Sequence, residues 1–193
     1  MTSVNFPNVS IVNINVFDNC TALISASFPK ATDISDYAFE GCTALTSIYF
    51  PEVTSICRNA FRSCTSLTTI SFPKLNIIGY RTFEKYSALT SINFPNVTSI
   101  SDYAFENCTA LTTISFPKAT YIGWNAFESC TALTSINFPE VTSIGSSAFY
   151  NCTALTSISF PKATDIKIRA FYNCTALTSA SFPKITYIGS SAF

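Results

Sequence analysis

The stretch C-T-A-L-T-S-I-N-F-P-E-V-T-S-I-G-S-S-A-F-Y-N, residues 130–151, decides the fold, because variants of it recur along the whole chain at 22-residue intervals. Its positions are numbered here as columns, from Cys130 (column 1) to Asn151 (column 22). Column 1 holds Cys20, Cys42, Cys64, Cys108, Cys130, Cys152 and Cys174, and Tyr86 fills the one gap in the series. All 18 phenylalanines fall 11 residues apart, from Phe6 to Phe193. They alternate between column 9, where each precedes one of the nine prolines, and column 20, where most follow Ala. A period in this range, kept over the full length, is the signature of stacked supersecondary units.

Within the unit, apolar residues occupy columns 1, 4, 7, 9, 12, 15, 19 and 20; in this copy they are Cys130, Leu133, Ile136, Phe138, Val141, Ile144, Ala148 and Phe149. Columns 6 to 9 alternate polar and apolar, the mark of a half-buried strand. Proline at column 10 cannot donate to a ladder and ends that strand. Columns 12 to 15 read as a weaker extended segment. The A-F-x-x-C stretch reads as one short helical turn, and nothing has the periodicity of a long helix. A single unit cannot cover its own apolar face, whereas stacked units bury it as one column. With strands about 4.8 Å apart, nine turns span roughly 40 Å. The expected architecture is one repeat solenoid over residues 1–193, with about nine turns, two phenylalanine ladders and no polar cap at either end.

Columns 11 and 12 carry a longer period. Column 11 runs Asn8, Lys30, Glu52, Lys74, Asn96, Lys118, Glu140, Lys162, Lys184. Column 12 alternates smaller and larger side chains over much of its length, as in Ala119, Val141, Ala163. Growth by duplication of two-turn pairs accounts for this, and it sets Lys beside Glu or Asn.

The pattern C-x-x-L-x-x-I-x-F-P-x-V-T-x-I-x-x-x-A-F-x-x-C resembles the BspA-like, or Treponema pallidum-type, leucine-rich repeat, over the entire chain. That family usually shows L-P where this chain shows F-P, and its unit is often one residue longer. The resemblance implies a right-handed curved solenoid with parallel strands on its concave face. It also implies a cell-surface or extracellular location and an adhesin that binds proteins.

Composition narrows the function. Charged residues are 11% of the chain and the formal net charge is zero, which gives no electrostatic case for nucleic acid. No apolar run approaches the roughly 20 residues of a membrane span. Histidine is absent, so the commonest general base and metal ligand is missing. The abundant serines therefore lack a His partner, and the carboxylates are spread over many turns. The expectation is a protein that is not an enzyme, with no catalytic residues, cofactor or metal. For the column-1 cysteines three readings stand: buried free thiols, cross-turn disulfides, or metal ligands. Parallel Cβ directions and the lack of C-x-x-C or His spacing favour the first.

Two surfaces are candidates for recognition. Columns 6 and 8 form an outward stripe of hydroxyl and amide side chains that includes Ser47, Tyr49, Asn93, Ser115 and Asn137. Columns 16 to 18 vary most between copies and contribute Tyr80, Tyr103 and Trp124; variable loops often carry binding. An ice-binding use of the Ser/Thr stripes is a minor reading, because curvature spoils the match to a flat lattice. A third set would support end-to-end assembly into filaments. Phe6, Val9 and Val12 at one end and Phe182, Ile188 and Phe193 at the other keep the core pattern without caps, and open apolar ends associate. The expected partner is a host or cell-surface protein, with end-to-end self-association as the alternative. Six N-x-S/T sequons, four of them N-C-T, read first as turn asparagines.

Overall fold

The computed structural model describes residues 1–193. Each turn contributes a three-residue strand at columns 6 to 8 and a two-residue strand at columns 14 and 15, and every pairing is parallel with a 22-residue offset. No helix is present. All the apolar columns meet in one core of 56 buried residues. In the interior turns Phe39, Phe61, Phe72, Phe83, Phe105, Phe116, Phe127 and Phe149 are fully buried. Rings of one column stack on the next turn at 5.0 to 6.1 Å, the separation at which offset aromatic pairs attract.

The segment expected to be weaker is the more continuous one. Columns 14 and 15 form a single nine-stranded sheet from Ile11–Val12 to Tyr187–Ile188. Column 13 flanks it with an unbroken run of backbone bonds, from Thr32 N–H to Ser10 C=O at 2.9 Å through to Thr186 N–H to Thr164 C=O at 2.9 Å. The threonine hydroxyls add to this ladder. Thr142 Oγ1, for example, donates to the Thr120 carbonyl at 3.2 Å. A β-branched residue that satisfies a carbonyl of the preceding turn suits an extended, half-exposed site.

Columns 6 to 8, by contrast, break into separate small sheets. Strand Ser47–Tyr49 does not pair with Thr69–Ser71, nor Ser91–Asn93 with Thr113–Ser115, nor Ser135–Asn137 with Ser157–Ser159. The breaks recur every two turns. The column-11 lysines bridge each of them: Lys74 reaches Glu52 at 2.6 Å, Lys118 reaches Asn96 Oδ1 at 2.6 Å, and Lys162 reaches Glu140 at 2.5 Å. The same contact, Lys30 to Asn8 Oδ1 at 3.0 Å, also spans the paired strands Ser3–Asn5 and Ser25–Ser27, so the lysine pairs coincide with the breaks without being confined to them. Such exposed pairs contribute at most about 1 kcal/mol each.

The A-F-x-x-C stretch is a third ladder rather than a helical turn. Bonds such as Cys42 N–H to Phe39 C=O, 3.2 Å, look helical locally. Columns 18 and 22, however, adopt left-handed φ in every turn, from Asn15 (57°) and Asn19 (53°) to Ser191 (53°). The N–H groups of columns 18, 20 and 22 then donate to columns 17, 19 and 21 of the next turn. Tyr103 bonds Trp124 C=O, Phe105 bonds Ala126 C=O and Asn107 bonds Glu128 C=O, each at 2.8 Å. Asn and Gly tolerate left-handed φ, which explains Gly41 and the N-C-T asparagines Asn19, Asn107, Asn151 and Asn173 at column 22.

Candidate functional site

The stripe on columns 6 and 8 is built by strand alternation: Ile or Ala of column 7 points inward and its neighbours point out. Ser47, Tyr49, Asn93, Ser115 and Asn137 are all exposed, Tyr49 at 57%. Asn137 Nδ2 donates to Ser115 Oγ at 3.0 Å, joining two adjacent turns. No charged residue occupies column 6 or 8. At the first break in this face lies a shallow cleft of about 230 Å³, walled by Ile48, Tyr49, Phe50, Pro51, Ser71 and Pro73. The prolines were read in the sequence only as strand ends, and their role as walls depends on the missing strand pairing.

The second face lies on the column 16 to 18 turns. Tyr80 and Tyr103 are half-buried, and Trp124 is 55% exposed. The Tyr80 and Tyr103 rings meet edge to face at 5.6 Å. Arg81 inserts its guanidinium 5.2 Å from the Tyr80 ring centre and 4.5 Å from that of Tyr103. It also donates to Tyr80 Oη at 2.8 Å and to Glu84 at 3.2 Å. Arg58 lies 5.4 Å from the Tyr80 ring centre, exposed and without a carboxylate partner. The backbone beneath is fixed: Trp124 N–H donates to Asp102 Oδ1 and Tyr103 N–H to Trp124 C=O, both at 2.8 Å. Arg81 and Tyr103 hold left-handed φ of 53° and 59°, a conformation that costs a residue with Cβ about 1–2 kcal/mol. Sequence reasoning missed Arg58 and Arg81. The available signal was Arg81 in a column that elsewhere often holds Asn or Ser.

These two faces belong to different sides of the coil, and no hydrogen bond or ring contact joins them. The end residues form a third group. Phe6, Ile188 and Phe193 are exposed at 41%, 55% and 53%, Val9 and Phe182 are half-buried, and Val12 is buried.

All eight cysteines are free thiols. In column 1, each buried Sγ–H from Cys42 onward donates to a Phe carbonyl of the turn before, at 3.1 to 3.3 Å. Tyr86 keeps the bond, its Oη lying 2.8 Å from Phe61 C=O. Burial pushes Cys42 up to about 12 and Cys174 up to about 11, so these thiols stay protonated and unreactive near neutrality. Three carboxylates, Glu84, Glu106 and Glu128, line up in column 21 of consecutive turns. Glu84, 1% exposed, is surrounded by Arg62, Arg81 and Lys85 at 2.8, 3.2 and 3.6 Å. Burial, with Glu84 and Glu128 nearby, raises Glu106 above the usual carboxylate range. No group of three or more His, Cys, Asp or Glu is arranged to hold a metal ion, and no helix is long and apolar enough to cross a membrane.

Comparison with known proteins adds a family. A model described as BspA type leucine rich repeat region matches residues 1–112 and 76–193 in six copies. No curated protein matches the chain. Among solved structures, a leucine-rich repeat protein of Bacteroides ovatus is similar at 20% identity and TM-score 0.56, over 100% of this chain and 72% of the other. A leucine-rich cell-surface protein of Faecalibacterium prausnitzii is similar at 22% and 0.55, over 95% and 79%. The leucine-rich repeat protein of T. pallidum gives 24% and 0.50, over 97% and 72%.

Proposed function

This chain belongs to the BspA-type leucine-rich-repeat family, and on that premise we propose that it is a non-catalytic protein-binding module, displayed at a cell surface and used for adhesion. The observation that carries the reading is a division of labour along the repeat. The inward columns stay apolar in nearly every turn, while Tyr49 interrupts an outward column of Ser and Asn, and Tyr80, Tyr103 and Trp124 stand in the two columns that vary most between turns. Rigid, exposed Tyr, Trp and Arg side chains are the types that anchor protein interfaces. The neighbour from F. prausnitzii is described as a cell-surface protein, which fits display outside the cell. The test is biolayer interferometry of the immobilised chain against a panel of matrix and cell-surface proteins. Saturable binding that is lost on substitution of the exposed aromatics supports the reading, and no saturable binding to any protein overturns it.

End-to-end self-association is a second reading, favoured by two hollows, the first mainly apolar and the second mixed. One, of about 210 Å³, is lined by Phe6, Val9, Val12 and Phe17 among others. The other, of about 440 Å³, includes Phe171, Cys174, Leu177 and Phe193. Sedimentation velocity compares the chain with a version carrying polar caps fused at both ends. Mass that grows with concentration only in the uncapped chain supports assembly, and a monomer at all concentrations refutes it.

A further inference from the structure

We propose that the column 17 and 18 turns from Arg58 to Trp124, rather than the strand stripe, dock a partner, and that the partner presents an extended segment with an acidic residue, a basic residue about three positions on, and an aromatic or aliphatic residue one or two beyond that. This deepens the protein-binding reading and rests on it.

Column 17 sets four side chains in a line on consecutive turns: Arg58, Tyr80, Asp102 and Trp124. The line alternates in character as cation, ring, anion, ring. Its charges are not consumed internally. Arg58 has no carboxylate within ion-pair distance, and Asp102 forms no ion pair and gives only Oδ1 to the Trp124 N–H at 2.8 Å. Arg81, in contrast, is already committed to Tyr80 Oη and Glu84. It serves to wedge Tyr80 against Tyr103, so the platform needs little ordering when a partner arrives. Preorganisation of this kind removes a large part of the cost of association. Turns stack at about 4.8 Å, and a segment in the polyproline II conformation advances about 3.1 Å per residue with about three residues per turn, so that positions i and i+3 share a face. Arg58 to Asp102 is two turns, or about three partner residues, and Arg58 to Trp124 is three turns, or four to five. A carboxylate opposite Arg58, an ammonium or guanidinium opposite Asp102 and an apolar side chain on Trp124 therefore match both charge and spacing. The strand stripe offers neither free charge nor Trp.

The test is selection of a random peptide phage library on the full chain, followed by fluorescence-anisotropy titration of the winning peptides. Titrations use the wild type, Arg58→Glu, Trp124→Ala and the stripe variant Tyr49→Ala/Asn93→Ala, each checked for an unchanged melting transition. Expected are winners in the acid–base–apolar register, with Kd weakened at least about tenfold by Arg58→Glu and by Trp124→Ala and unchanged in the stripe variant. Replacing the peptide's acid by lysine should restore binding to Arg58→Glu. Winners that lose affinity only in the stripe variant overturn this inference and leave the protein-binding reading standing. A library that yields no winner, together with a silent protein panel, removes both.

Discussion

Turns 108–193 and turns 42–107 follow one repeat but pack differently. From Phe105 onward the column-20 rings stack closely: Phe105–Phe127, Phe127–Phe149 and Phe149–Phe171 lie 5.2 to 5.3 Å apart with planes within 9°, and Phe39–Phe61, before the seam, is as close at 5.1 Å. Earlier, Phe61 and Phe83 stand 6.1 Å apart. At the same seam Phe61 N–H lacks the bond to column 19 of the next turn that its counterparts Phe39 and Phe105 make, and the strands beside Tyr49 and Ser71 part to leave the cleft. Three larger residues sit here: Leu75 among smaller column-12 side chains, Thr82 in the alanine column and Tyr86 in the cysteine column. Two features hold the seam. Tyr86 Oη reaches back to Phe61 C=O, and Arg62 spans from Glu40 at 3.1 Å to Glu84 at 2.8 Å. A solenoid's stability is close to a sum of unit and interface terms, so one stretched interface is offset locally by the Arg62 ion pairs, which have no counterpart in column 21 of the other turns.

The largest expected effect tests the packing side of this contrast. Phe127→Ala removes a fully buried ring stacked on both neighbours and should cost about 3–5 kcal/mol. Phe72→Ala, whose ring is tilted 35° and 30° against its neighbours, should fall near the lower end, since a looser site relaxes further. Urea unfolding of both variants measures the difference; equal costs would mean that the seam is packed as well as the regular run.

Next comes the clamp. Arg62→Met leaves the buried Glu84 with Arg81 and Lys85 only, and should cost about 2 kcal/mol as a charge-assisted bond to a buried acceptor is lost. The corresponding exposed pair Lys162–Glu140 should be worth less than about 1 kcal/mol, tested with Lys162→Met. A larger effect at Lys162 would invert the picture of where polar contacts matter.

Thiol labelling reads the same seam through local opening. Cys20 and Cys57 are half-buried and should react first. Among the buried thiols, Cys64 at the seam should label about tenfold faster than Cys130 or Cys152, a difference of about 1.4 kcal/mol in opening. Mass spectrometry of timed alkylation resolves each site, and uniform rates would show that the turns open together.

How much of this was legible before the structure depends on which forces decide each feature. The 22-residue period, the buried columns and the two-turn alternation of Lys with Glu or Asn follow from side-chain character, which is written in order along the chain. The turn ladder was not legible. Its local i→i−3 bonds imitate a helix, and only bonds to the next turn, as from Tyr103 to Trp124, select left-handed φ at columns 18 and 22. Asn19, Gly41 and Asn107 did signal that conformation, but Tyr37, Arg81 and Arg169 disguised it. Tyr49, Tyr80, Tyr103 and Trp124 were legible as candidate surface aromatics, of which Tyr49 and Trp124 are exposed and Tyr80 and Tyr103 half-buried. That Arg58 lies against Tyr80 and Arg81 against Tyr103 was not legible, because stacking across turns joins residues 22 apart.

Tyr86→Phe sharpens the seam further. It keeps the ring and removes only the hydroxyl bonded to Phe61 C=O, so about 1 kcal/mol should be lost. The faster exchange should be confined to amides near Phe61 and Cys64. Hydrogen exchange of the intact chain checks this, and a loss of protection spread through turns 108–193 would show that the seam is not a local weakness.

The smallest effect lies where the seam's ion cluster meets the regular run. Glu84 has three cationic neighbours, whereas Glu106, one turn on, has an Oε2 with no hydrogen-bond partner. Burial and then the charges of Glu84 and Glu128 raise its pKa. A carboxyl that holds its proton more tightly when folded makes the native state the better proton binder. Stability is then lost as pH rises from the unfolded value, near 4.3 for Glu, through the raised folded value. At neutral pH the ionised group therefore opposes folding. Glu106→Gln removes that penalty and supplies a donor to the neighbouring carboxylates. Its melting temperature should exceed the wild type's at pH 7, and the gap should close as pH falls below about 4, where Glu106 is neutral in both states. A gap that stays constant with pH would assign the gain to the amide's hydrogen bonds rather than to the charge. A variant less stable at pH 7 would mean that Arg81 and Lys85, which act on Glu106 in the opposite sense, outweigh the two carboxylates and extend the seam's clamp one turn further than the Arg62 contacts do.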